Sequence, residues 1–109
     1  MLKYNHLGIP TKIKKANERY LPQFKMYVSG HEDSIFKIEW MRFELDCPIP
    51  EIVKNIPHVA FEVDDLAEAT KDKTILIEPN SPSDGVQVAF IEENGASFEL
   101  MQISSIEQK

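Results

Sequence analysis

Two stretches of this chain, 58 − 6 = 52 residues apart, open alike. Tyr4-Asn5-His6-Leu7-Gly8-Ile9-Pro10 lies near the start, and Ile56-Pro57-His58-Val59-Ala60-Phe61-Glu62-Val63-Asp64-Asp65-Leu66 lies just past the midpoint. Each alternates as a half-buried strand does, and each places a histidine at the same point. A 109-residue chain that repeats its opening strand halfway is held to two similar modules around one core, since it has the size of one domain.

The second half reads more clearly. Val59, Phe61 and Val63 alternate with His58, Ala60 and Glu62, and Asp65 three residues before Glu68 marks a helix start, with about two turns expected to roughly Lys71. Thr74 to Glu78 reads as a strand, Pro79 to Gly85 as a loop and Val86 to Glu92 as a strand. Asn94-Gly95 turns the chain into a last strand, Ala96 to Ile103.

The first half reads as a shorter copy. Leu2, Tyr4, His6 and Gly8 are expected on one face of the first strand, with Lys3, Asn5, Leu7 and Ile9 on the other. A short helix is expected between Thr11 and Tyr20. A hairpin should follow, from Phe24–Ser29 through the turn Gly30-His31-Glu32-Asp33 into a long strand, Ile35 to Leu45. Setting Glu39 on Glu99 gives an offset of 99 − 39 = 60, so eight residues, about one strand and its turn, are missing from the first copy. The expected division is a single domain over 1–109, with modules at 1–47 and 57–103, a connector at 48–56 and a tail at 104–109.

Composition narrows the function classes. Twelve cations against eighteen anions give a net charge of −6, which disfavours binding to nucleic acid. No run approaches the roughly 18 apolar residues of a membrane span, and the start lacks the apolar block of a signal peptide, so no membrane partner and a cytoplasmic location are expected. Cys47 is the only cysteine and permits no internal disulfide. Five cations, Lys12, Lys14, Lys15, Arg19 and Lys25, fall in one early segment, which reads as a solvated face or as a receiver for a substrate carboxylate or phosphate.

Histidines on equivalent first strands and glutamates on equivalent last strands form a candidate set of two imidazoles and two carboxylates. That mixture suits a borderline divalent ion such as Zn, Ni, Fe, Co or Mn, provided the sheets curl around a common cavity. Period-two geometry puts His58 with Ala60, and Glu99 with Met101, opposite the core residues Phe98 and Leu100. The pair Asp64-Asp65 reads as a helix cap.

Asn5-His6-Leu7-Gly8-Ile9, the segment Pro57 to Asp65, and the ending Val86 to Phe90, Asn94-Gly95 and Ser97-Phe98-Glu99-Leu100 together resemble the vicinal oxygen chelate superfamily. That group includes glyoxalase I, extradiol dioxygenases, methylmalonyl-CoA epimerase, and the bleomycin and fosfomycin resistance proteins. The resemblance implies an α+β fold of two βαβββ modules forming a curved, mostly antiparallel cup around one metal, here with the first module shortened. It also implies ligands in the order His, Glu, His, Glu, carried over to His6, Glu39, His58 and Glu99. Glu44 is the other candidate for the second position. Glu39 is preferred because Ile38-Glu39-Trp40 repeats the apolar-Glu-apolar pattern of Phe98-Glu99-Leu100.

The implied activity is that of a small-molecule metalloenzyme, a glyoxalase-like lyase or isomerase. It would act on a substrate with two adjacent oxygens through metal-stabilised enolate chemistry, with Glu99 or Glu39 as the base. A non-catalytic ligand-binding protein of bleomycin-resistance type is the alternative. If a strand is missing from the first module, a second subunit would cover the open side, and a homodimer is expected.

Overall fold

The computed structural model describes residues 2–104, so residues 105–109 of the expected tail lie outside the described residues. Its elements are β1 (Lys3–Pro10), β2 (Arg19–Leu21), β3 (Met26–Ser29), β4 (Ile38–Phe43), α1 (Glu51–Asn55), β5 (His58–Glu62), α2 (Leu66–Thr70), β6 (Thr74–Ser83), β7 (Val86–Glu93) and β8 (Ala96–Ile103). One eight-stranded sheet runs in the order β2-β3-β4-β1-β5-β8-β7-β6, curved into a half-barrel. In each half the first strand pairs in parallel with the last, and the remaining pairings are antiparallel. This is the expected α+β cup of two modules with matching strand order.

What is missing from the first module is a helix. β2 supplies its fourth strand, from residues expected to end a helix, and the segment between Thr11 and Glu18 stays irregular. Asn17 takes a positive φ of 60°, which interrupts any helical run. Long-range contacts hold the segment against the outer face of the sheet. The Lys15 ammonium sits 4.2 Å from the Trp40 ring centroid, and Glu18 receives both Arg42 Nε (2.8 Å) and Nη2 (2.7 Å). Arg42 in turn stacks on Tyr27. This strap occupies the side of the sheet on which the second module carries α2.

The Arg42 fork, helped by the Lys15 backbone N–H, holds the Glu18 carboxyl down at about 2. A depressed folded-state value contributes stability that is present above the ordinary value of 4.5 and is lost as the pH falls toward 2. Glu18→Gln is therefore expected to flatten the acid limb between those values, read as the urea midpoint against pH beside the wild type. Parallel limbs for the two proteins would show that the fork contributes nothing.

The second module follows its sequence pattern closely. Asp65 accepts a hydrogen bond from Glu68 N–H (3.2 Å) as the cap of α2, and Leu66 packs that helix on Ala89, Ile91 and Leu100. Asn94 and Gly95 both have positive φ (56° and 82°), as a tight hairpin turn requires. Three boundaries differ from expectation. β6 runs on through Pro79 and Pro82 to Ser83, because an edge strand loses no ladder partner to a proline. The first-half strand begins only at Ile38, preceded by a one-turn 3-10 helix at His31–Asp33. The connector contains α1, whose Val53 is 1% exposed and joins Leu21, Met26, Val28, Met41 and Ile49 inside the cup.

No helix among the described residues is long and apolar enough to cross a membrane.

Candidate metal centre

The four central strands β4, β1, β5 and β8 build the site by register alone. Gly8 lies across from Glu39, and Ala60 across from Glu99. Each glutamate thus stands opposite the residue two places beyond its module's histidine. The antiparallel seam repeats the relation, placing His6 opposite Ala60 and Gly8 opposite His58. Side chains two apart share a face, so all four candidate residues point into the cup. Glu44 does not belong to this set. It lies beyond the end of β4 and accepts the Tyr20 hydroxyl (3.1 Å) on the outer side.

One residue breaks the expected alternation. The register of β1 against β5 shifts between Tyr4 and His6, so Asn5 is bulged and Tyr4 pairs with the outward Phe61. Tyr4 therefore does not share the face of His6 and Gly8. The bulge frees Asn5 to act on the histidine. Its amide Nδ2 donates to Glu62 Oε2 (2.8 Å), which leaves Oδ1 to accept from His6 Nδ1 at 2.6 Å. In the neutral tautomer with its proton on Nδ1, His6 would present the Nε2 lone pair to the cup.

That nitrogen lies 3.3 Å from Glu99 Oε1 and 3.6 Å from Glu39 Oε1. His58 Nε2 meets the same Glu99 oxygen at 3.0 Å. His58 is 2% exposed, its ring set edge-on to Phe90, and its Nδ1 has no partner among the described residues. Gly8 makes room for it: a methyl there would stand 2.8 Å from His58 Nε2 and nearer still to Cε1.

The electrostatics are those of a cation site. Burial would lower the His6 value, but the hydrogen bond and charge of Glu99, with Glu39 behind it, raise it instead. Burial would raise Glu99, yet the two imidazoles hold it down at about 2. Burial raises Glu39, and Glu99 adds to that while His6 opposes it. Two imidazole nitrogens and two carboxylates turned toward one another at the bottom of the cup are a donor set that one divalent ion takes. His6, His58 and Glu99 offer ligand atoms all within 4.8 Å of one another, so this buried triad could hold a metal ion. His6 Nε2 is buried against the oxygens of Glu99 and Glu39, at 3.3 and 3.6 Å, as a ligand atom sharing a cation with them would be. Asn5→Ala is expected to weaken metal affinity by about 10- to 100-fold, since it frees the ring that the amide fixes. Titration with a competing chelator measures this, and unchanged affinity would rule out an orienting role.

His31, in the turn before β4, also reaches the site. The 3-10 turn carries its ring edge-on to His6, at 5.6 Å between centroids, and its Nε2 is buried without a partner among the described residues. Glu39, His6 and Glu99 open into a cavity of about 470 Å³, whose wall is mostly apolar and includes Met41, Val88, Phe90 and Met101. That volume suits a small organic molecule.

No family model matches the chain, and no curated protein does. Among solved structures it is similar to a hypothetical protein from Bacillus halodurans C-125, with a TM-score of 0.70 and 19% identity over 95% of this chain and 96% of that one. The likeness is one of fold, a curled mixed sheet compatible with the vicinal oxygen chelate arrangement.

Proposed function

We propose that the chain is a metal-dependent lyase or isomerase of the vicinal oxygen chelate type, acting on a small substrate with two neighbouring oxygens. The observation that carries this is the convergence of His6, His58 and Glu99 at the end of an apolar cavity, with Glu39 beside them. A divalent ion held there (Zn, Ni, Fe, Co or Mn) would supply a Lewis acid for the two oxygens.

The two carboxylates divide the work. Glu99 contacts both imidazoles and serves as the fixed ligand. Glu39 stands outside the tight triad, pairs with His6 and faces the cavity, which suits it to carry a proton. It would take the proton from a carbon next to the substrate carbonyl and return it to the neighbouring position. The Asn5 amide holds His6 in the ligating tautomer, and the apolar walls flank the substrate.

The test uses metal-loaded protein in deuterated water with hemithioacetals of 2-oxoaldehydes, acyl-CoA epimers and catechols. The wild type is expected to exchange the carbon-bound proton of one class. Glu39→Gln should keep its metal and lose about 10²- to 10⁴-fold in exchange rate. Absence of exchange or turnover in all three classes would abandon the enzyme reading. The apolar cavity wall would then favour a ligand-sequestering protein.

A further inference from the structure

Asn17 and Arg19 both line the cavity, while Glu18 between them is turned outward into the grip of Arg42. Fixing the middle residue of the three on the outer face presents its neighbours to the inner one. Arg19 is the one cation among the described lining residues, and among the described residues no carboxylate pairs with it. Arg42, Lys25, Lys54 and Lys73, by contrast, each hold a carboxylate. Asn17 likewise makes no side-chain hydrogen bond among the described residues. A guanidinium and an amide without protein partners among the described residues, both on exposed residues, thus line the β2 side of the cup.

Register gives their distance from the metal end. Arg19 pairs with Val28, which pairs with Met41, and Glu39 is the next inward position along β4. Two strand spacings across and two residues along put the Arg19 backbone roughly 12 Å from that of Glu39. Two apolar side chains, Val28 and Met41, lie along that path.

We infer that Arg19, assisted by Asn17, is a recognition site for a distal carboxylate, so that the substrate is an organic acid with a two-oxygen head, a short apolar spacer and an anionic end. The claim rests on the metal-centre reading of the same cavity for the head, and on Arg19 alone for the tail. A single guanidinium matches one carboxylate in a two-point fork. A doubly charged phosphate fits less well, because Glu32 lines the same cavity.

Cobalt(II)-loaded protein is titrated calorimetrically with 2-oxoadipate and 2-oxohexanoate, which share the head and differ in the distal carboxylate. The wild type is expected to bind 2-oxoadipate at least about tenfold more tightly, a difference of about 1.4 kcal/mol. Arg19→Gln should lose that preference and keep the wild-type affinity for 2-oxohexanoate. Equal affinities in the wild type, or a loss in the variant that falls on both acids alike, overturn the inference. Tighter binding of the phosphonate counterpart, 2-oxo-5-phosphonopentanoate, overturns the carboxylate assignment. Should cobalt fail to bind, the metal reading fails and Arg19 is judged on metal-free protein with hexanoate against hexanamide. A preference for hexanoate that Arg19→Gln abolishes upholds the subsite, and equal affinities overturn it.

Discussion

Protein purified without an affinity tag and incubated with Zn, Ni, Fe, Co or Mn is expected to hold close to one ion per chain, and His58→Ala and Glu99→Gln are expected to hold none. Glu99 contacts both imidazoles, at 3.0 and 3.3 Å, so neutralising it removes the charge that faces the ion from the centre of the set. Losing His58 removes a donor that no exposed residue can replace, given its 2% exposure. Elemental analysis after dialysis reads the occupancy directly. Thermal unfolding adds a second readout: an ion at a hundred times its Kd stabilises by about 2.7 kcal/mol, roughly 10–20 °C in Tm for a domain of this size. The variants should show no such increment, while their metal-free Tm reports whether they fold. A wild type that stays empty with all five ions would deprive the proposed enzyme of its electrophile.

Gly8→Ala is expected to remove metal binding through a residue that touches no ion. Its added methyl would stand 2.8 Å from His58 Nε2, a contact the imidazole can relieve only by leaving the cup's focus. Overpacking of this kind costs about 1–3 kcal/mol of stability. The metal affinity should fall at least as far as in Asn5→Ala, because a ligand itself is displaced. Ala60→Gly makes the comparison at the equivalent position across from His6, where a methyl is already accommodated, and should leave occupancy near the wild-type level. A Gly8→Ala protein with wild-type affinity would mean that His58 is not held where its ring lies over Gly8.

Much of the second module was legible because its signals are local. The alternation of Val59, Phe61 and Val63, the Asp65 cap and the Asn94-Gly95 turn each depend on neighbours within a few residues. The convergence of His6, Glu39, His58 and Glu99 was legible for a related reason: a repeated strand order forces equivalent positions together once the modules pair. Whatever depends on distant partners was not. The strap from Thr11 to Glu18 is set by Arg42, twenty-four residues away from Glu18, so its helical periodicity misled. β6 keeps its prolines because it lies at the sheet edge, a fact of topology alone. The bulge at Asn5 has no local mark, and the Gly30–Asp33 turn, legible in itself, carries no sign that it lays His31 beside His6.

Among the described residues the backbone ladder passes between the halves at one place, the pairing of β1 with β5. His6 and Glu39 stand on one side of that seam, His58 and Glu99 on the other. An ion held by His6 on one side and by His58 and Glu99 on the other would act as a cross-link between two folding units, and its effect would extend to cooperativity as well as to the unfolding midpoint. Loaded protein would open as one body, with amide exchange in both halves governed by the same global event. Stripped protein would let the strapped first module, which has no helix on its outer face, open before the second.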